Sequence, residues 1–292
     1  MKLALYIRVF KTSHLPILEE LCSIVKQKNI SICIFHSVFE EMKAHCDLND
    51  DVTTFKDHKT LPKDVDFLLS IGGDGTLLDT VQIVRDKGIP VAGINAGRLG
   101  FLADIDKQEI KELIFSLENN TFSLERRTLI HIDTNKPVFK EVSYGLNEFT
   151  IHKTDSSSMI TILVYLNGEY LNSYWADGLI IATPTGSTAY SLSCGGPIVF
   201  PTTKSFVLTP VAPHNLNARP MVIPDDTVLS FEVISRSESY LCTLDSRSKA
   251  VDKTYQIAVR KEDFTFNLIR MPESHYLKTL RQKIKWGDDL RN

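Results

Sequence analysis

The feature that most limits the fold is the passage Ser70-Ile71-Gly72-Gly73-Asp74-Gly75-Thr76-Leu77-Leu78. The apolar run at 65–71 enters the glycines without a spacer, and a helical pattern over about 76–87 follows until Gly88-Ile89-Pro90 stops it. A buried strand that turns directly into a helix is the unit of an open parallel sheet, and such sheets bind ligands beyond the carboxyl ends of their strands. Glycines there let backbone N–H groups approach a phosphate where a side chain would collide, and the helix N-terminus favours negative charge. Thr76 adds a hydroxyl donor. An aspartate in such a loop repels phosphate and needs a reason. Asp74 can accept a proton from an attacking hydroxyl, hold Mg2+ through water, or cap the helix.

The flanking sequence agrees with an α/β domain. Residues 2–9, 30–35, 65–71 and 90–94 read as strands, and 14–28 and 107–119 as helices, the second capped by Asp106. Strand–helix alternation predicts a doubly wound parallel sheet with helices on both faces. After about residue 121 strand-like segments follow one another: 129–133, 141–145, 148–152, 159–166, 169–175, 205–211, 227–234, 241–244, 256–261 and 264–270. Asn167-Gly168 marks a two-residue hairpin turn, because both residues tolerate positive φ. This half reads as mainly β, with two stacked antiparallel sheets as the arrangement it suggests. An amphipathic helix over about 274–285 is expected to pack back on the first domain. The expected domains are 1–125, joined by 272–292, and 126–271.

Composition narrows the function classes. A hydrophobic fraction of 43% supports a packed core, and a formal net charge of −3 without long like-charge runs gives no basic face for nucleic acid. No run of about 18 apolar residues suggests a membrane span, and the apolar start at 1–8 is too short for a signal peptide. The five cysteines are odd in number and lack CxxC spacing, which favours free thiols in a reducing cytoplasm over a disulfide framework or zinc site.

Gly72-Gly73-Asp74-Gly75-Thr76 resembles the signature shared by NAD kinases, diacylglycerol kinases and sphingosine kinases. Further stretches resemble NAD kinases in particular: the segment from Gly93 to Leu102, Asn147-Glu148, the long motif from Asp177 to Ser193 continued by Gly195-Gly196-Pro197, and Arg219-Pro220-Met221-Val222. The similarity spans roughly residues 65–225 in the family's order and spacing. It implies transfer of the ATP γ-phosphoryl group to the 2′-hydroxyl of the adenosine ribose of NAD, giving NADP, with Mg2+ or another divalent cation accompanying ATP.

The resemblance also implies roles. Asp74 would be the catalytic aspartate, Gly75 would contact the dinucleotide beside it, the Gly72-Gly73 loop would lie under the γ-phosphate of ATP, and Thr76 and Asn95 would be further nucleotide-binding residues. Asn147 and Glu148 would bind the adenosine part, a carboxylate and an amide accepting from ribose hydroxyls and pairing with base edges. Asp177 would meet the nicotinamide ribose or amide. Thr185, Thr188, Ala189, Tyr190, Ser191, Leu192 and Ser193 would form a loop around the two bases, with Tyr190 suited to ring stacking. The Asp-Gly-Gln found late in the family reads Asp245-Ser246-Arg247 here, leaving Arg247 to reach a phosphate or a neighbouring chain. Trp175 and Ser158 stand where polar and basic residues are often found. No residues are assigned to a resident protein-bound metal. The expected assembly is a homodimer or homotetramer. Two other readings stand beside this one: a lipid kinase of the same superfamily, and a dinucleotide sensor without turnover.

Overall fold

The computed structural model describes residues 1–48, 52–139, 141–154, 158–272 and 274–285. Within the expected C-terminal segment 272–292, residues 273 and 286–292 lie outside the described residues. The chain divides into two compact units, Met1–Arg126 with Asn267–Asn292, and Arg127–Phe266. Among the described residues no helix is long and apolar enough to cross a membrane.

Unit 1 begins with β1 (Lys2–Tyr6), α1 (Leu15–Lys28), β2 (Ser31–Phe35), α2 (Phe39–His45) and β3 (Thr53–Phe55). It continues through β4 (Phe67–Gly72), α3 (Asp74–Val84), β5 (Val91–Asn95) and α4 (Ile110–Asn119). β6 (Ser123–Thr134) then carries the chain into unit 2. There follow β7 (Tyr144–Gly145), β8 (Glu148–Lys153), β9 (Ile160–Leu166), β10 (Glu169–Ala176), β11 (Gly178–Ala182) and α5 (Tyr190–Ser193). The last elements are β12 (Ser205–Val211), β13 (Met221–Pro224), β14 (Leu229–Ile234), β15 (Ser239–Leu244), β16 (Arg247–Asp252), β17 (Ile257–Arg270) and α6 (Tyr276–Ile284).

The sheet of unit 1 is parallel, in the order β5-β4-β1-β2-β3, and Leu268 of β17 pairs beside Val91. Alternation of side chains along a strand assigns its two faces. Leu3, Leu5, Ile7, Leu69, Ile71, Ala92 and Ile94 pack with apolar residues of α1, α2 and α4. The other face receives α3, whose Leu77 lies against Gly93 and whose Asp79 meets the Tyr6 hydroxyl. Helices therefore cover both faces, which is why β4 and β5 read as unbroken apolar runs. α6 belongs to this unit, and Asp106 accepts from the Gln108 N–H at 3.0 Å to start a short 3-10 turn that leads into α4.

Unit 2 is built from antiparallel strands. One sheet runs β13-β12-β11-β8-β15-β16; strands β10, β9, β14 and the first part of β17 form the other. Their inner faces share one core: Phe149, Ile151, Leu179, Ile181, Phe206 and Leu208 from the first, Ile160, Ile162, Val164, Phe231 and Val259 from the second. Asn167 and Gly168 close the β9–β10 hairpin with φ of 51° and 86°.

Two expectations are corrected. Residues 256–261 and 264–270 form one strand, β17, not two. The charged residues at its middle have partners instead of a turn: Glu262 meets His131 Nδ1 at 2.6 Å, Lys261 meets Asp225 at 3.0 Å and Arg260 meets Asp133 at 2.8 Å. Asp177 is the single bend residue between β10 and β11, and Gly178 opens β11. Gly178 passes so near β8 that a Cβ there would lie 2.5 Å from the Ile151 carbonyl. Of 141–145 only Tyr144–Gly145 is strand.

Candidate active site

The glycine-rich loop of unit 1 has the form the sequence predicts, but Asp74 does something the sequence does not show. Gly73 is the N-cap of α3, and Asp74 is its first residue. The Asp74 carboxylate turns away from the helix and accepts three backbone N–H groups: Phe101 on Oδ2 at 2.9 Å, Leu102 and Ala103 on Oδ1 at 3.0 and 2.9 Å. It thus anchors the segment after β5 instead of capping α3. A carboxylate offers about four lone-pair sites, so Oδ2 keeps a direction open for a further donor. The anchoring is tight, since a Cβ on Gly100 would fall 2.0 Å from Asp74 Oδ1.

The glycines divide by role. Gly72 lies at φ 154°, and a Cβ there would strike Thr76 Oγ1 at 2.5 Å, so its lack of a side chain is an internal requirement. Gly73 and Gly75 are exposed, and, their chain neighbours and the backbone of α3 apart, no atom of the described residues lies within 4 Å of where a Cβ would stand on either. Glycine inside a helix loses more conformational freedom than any other residue, at a cost of up to about 1 kcal/mol relative to alanine at mid-helix, and Gly75 is the second residue of α3. Nothing inside the fold asks for that cost at Gly75, whereas an anion lying against the helix N-terminus does. Asn95 is placed otherwise than expected. It is buried, and both its backbone N–H and its Nδ2 donate to the Ile105 carbonyl, at 2.9 and 3.1 Å, so it sets the course of segment 96–105 from beneath.

In unit 2 the expected residues gather at the start of β8 and the segment after β11. Their hub is Asp245, noticed in the sequence only as part of a departure. Its carboxylate accepts from the N–H groups of Leu146 and Asn147, each at 2.8 Å, and of Glu148 at 3.2 Å. Burial raises its pKa while these donors and Arg247 draw it down. The turn at 183–188 locks on the same segment: Thr183 Oγ1 donates to the Leu146 carbonyl at 2.6 Å, and a Cβ on Gly186 would lie 2.1 Å from the Asn147 carbonyl oxygen. Thr185 and Ser191 are buried and bind within the protein, Thr185 Oγ1 accepting from Arg127 at 3.0 Å and Ser191 Oγ facing Thr209 Oγ1 at 2.8 Å. Thr188, Ala189 and Leu192 are half-buried; Tyr190 and Ser193 are exposed. The Asp177 carboxylate pairs with Lys153 at 2.6 Å, a partner the sequence did not single out.

Glu148 differs from the ionised acceptor first expected. Burial, with the Asp245 charge second, pushes its pKa up to about 8, and its Oε2 is buried with no hydrogen-bond partner among the described residues. Near neutral pH it is an acid that can donate a hydrogen bond as well as accept one. An unfolded glutamate ionises near 4.5, so between that pH and about 8 the native state holds a proton that the unfolded chain has lost. Stability therefore falls across this window as pH rises. Glu148→Gln should gain melting temperature relative to the wild type from about pH 5 upward and level off above about 8, by several degrees in all. Thermal melts from pH 5 to 9 measure this, and a difference that does not change with pH would overturn it.

Arg247 is placed against expectation. Its guanidinium donates to the Val142 and Tyr144 carbonyls and lies 5.8 Å from the Phe139 ring centroid, bracing the approach to 146–148. Trp175 packs against His214 with ring centroids 4.1 Å apart and planes tilted by 38°, and Ser158 is half-buried.

An anion cradle that carries its own fixed acceptor is the equipment of a phosphotransferase acting on an alcohol, and that is the class the loop and its parallel sheet define. Comparison with known proteins narrows it. Residues 4–122 match the ATP-NAD kinase N-terminal domain, and residues 146–271 match the ATP-NAD kinase C-terminal domain. The chain therefore belongs to the NAD kinase family. It is 45% identical to the NAD kinase of Cytophaga hutchinsonii, over 99% of both chains, and 45% identical to that of Flavobacterium psychrophilum, over the full length of both. Its fold is similar to the crystal structure of yeast NADH kinase complexed with NADH, with a TM-score of 0.87 and 23% identity over 100% of this chain and 89% of the other. It is also similar to an NAD kinase from Archaeoglobus fulgidus in complex with ATP, with a TM-score of 0.72 and 24% identity over 98% of each.

Proposed function

We propose that this chain transfers the γ-phosphoryl group of ATP to the 2′-hydroxyl of the adenosine ribose of NAD, yielding NADP and ADP. The observation that carries the proposal is the Asp74 carboxylate, fixed by three N–H groups beside two exposed glycines that the fold itself does not require. In the reaction the ribose oxygen forms a bond to the γ-phosphorus, the bond from that phosphorus to the β,γ-bridging oxygen breaks, and the hydroxyl proton is released. Phosphoryl transfer asks the protein mainly for positioning and charge neutralisation. Asp74 Oδ2 serves by orienting the hydroxyl, and the N–H groups at the start of α3 serve by facing the phosphates. The divalent cation enters with ATP, since Mg2+ keeps several waters and binds mainly through phosphate oxygens. Asn147 and Glu148 take the adenosine, and Tyr190 supplies an exposed ring against a base.

The reading extends to a cytoplasmic homodimer or homotetramer, supported on the first point by five free cysteines. Purified protein with MgATP and NAD should form NADP, measured by an NADP-specific dehydrogenase. Diacylglycerol or sphingosine in place of NAD should yield no phosphorylated product. Tight NAD binding without NADP formation would sink the kinase reading and favour a sensor.

A further inference from the structure

Two residues past the carboxyl end of β1 stands Arg8, which plays no part in the site as described. β1 is the parallel neighbour of β4, with Tyr6 opposite Ser70, so Arg8 reaches the same edge of the sheet as the glycine-rich loop. Leu3, Leu5 and Ile7 face the core under α1, and alternation turns Arg8, like Tyr6, toward α3. Its Nε and Nη2 grip both carboxylate oxygens of Asp79, and Nη2 also lies 3.4 Å from the Gly75 carbonyl oxygen. Asp79 stands one turn after Gly75 on α3, is largely buried, and takes the Tyr6 hydroxyl at 3.3 Å as well.

A guanidinium is a rigid plane with more than one donor edge. With the Nε–Nη2 edge clamped, the position of Nη1 is set. Among the described residues none accepts from Nη1, and half of the Arg8 side chain is exposed. A surface ion pair made for stability alone contributes little. This one instead holds a cation at the rim of a loop whose exposed glycines leave room for phosphate. Arginine suits the place because it can bind a carboxylate through one edge and phosphate oxygens through another, which a lysine ammonium does not do with fixed geometry.

We propose that Arg8, positioned by Asp79, binds the polyphosphate chain of the phosphate donor through its Nη1 edge. The proposal rests on the kinase reading above, and its test separates the two. The first measurement is the rise in melting temperature on adding MgATP without NAD, for the wild type, Arg8→Ala, Arg8→Lys and Asp79→Asn. The wild type should be stabilised by MgATP. Arg8→Ala should lose most of that rise, and Arg8→Lys and Asp79→Asn part of it. The second measurement is steady-state kinetics with each substrate varied in turn. Arg8→Ala should raise KM for ATP by roughly 10–100-fold, the value of a charge-assisted contact, while KM for NAD stays within about two-fold. An unchanged response to MgATP in Arg8→Ala, or equal losses for both substrates with a lowered melting temperature of the free protein, would overturn the proposal. If Arg8→Ala does not fold, Arg8→Lys decides by the same two readouts. Stabilisation by MgATP that depends on Arg8, in a protein that makes no NADP, would leave this proposal standing and the acceptor reading refuted.

Discussion

Asp74→Asn should lower turnover by roughly 10²–10⁴-fold, the range for losing a positioned acid–base group. The structure gives two reasons. Oδ2 is the acceptor assigned to the attacking hydroxyl, and an amide cannot replace it without changing its other contacts. Three N–H groups converge on the Asp74 carboxylate. An asparagine has one oxygen for them, and its NH2 would face at least one N–H donor against donor. Glutamate is no remedy, because the space is already closed by Gly100. The substitution should therefore also speed hydrogen exchange at the amides of 101–103, which mass spectrometry can follow. Retention of most of the turnover by Asp74→Asn would remove Asp74 from the chemistry, whatever the loop does.

Asp245→Ala should damage unit 2, the half proposed to take the dinucleotide, as severely, through a residue that need not touch the ligand. Its removal strips an acceptor from three N–H groups at the entry to β8, beside Gly145, where a Cβ would come within 2.9 Å of the carboxylate. Buried donors left without partners cost about 1–3 kcal/mol each. The expected loss is about 3–5 kcal/mol, or on the order of 10 °C in melting temperature. NAD affinity should fall with it, since Asn147 and Glu148 lose their anchor. The Asp245 charge also helps raise Glu148. The upper end of the pH window in which Glu148 lowers stability should therefore move down from about 8. Asp245→Asn tests that shift in a variant that retains one acceptor; an unmoved window would show that burial alone sets it.

How far the sequence reached follows from the range over which each signal acts. The strand running into Gly72 and the helix behind it are local, and so is the Asn167-Gly168 hairpin; both were legible. Alternation of apolar segments was enough for a parallel sheet followed by a mainly β half. β17 was split because Lys261-Glu262-Asp263 resembles a turn until His131 and Asp225, far away in sequence, are seen beside it. At the candidate site, Asp74, Asn147 and Glu148 could be singled out from their motifs, but the contacts and protonation that each has in the fold could not. Asp74 meets its donors 27–29 residues later, and Asp245 meets 146–148 nearly a hundred residues earlier. Arg8 and Asp79 are 71 apart. The proton on Glu148 depends on burial and on a second carboxylate brought up by another strand, neither of which residue spacing encodes.

The divided make-up of unit 1 has a consequence for how the protein is made. β5 pairs on one side with β4 and on the other with Leu268 of β17, which the ribosome supplies only after the whole of unit 2. At roughly 5–20 residues per second, that wait lasts on the order of 10–35 s. During it the Val91 end of β5 waits for its outer neighbour, while Ile105 already pairs along Gly93–Asn95, and an open strand edge invites pairing with other chains. Translation speed and chaperone supply over the stretch from residue 96 to residue 268 thus bear directly on the yield of active enzyme. A ribosome that stops within that stretch releases a chain whose first domain is synthesised but not closed.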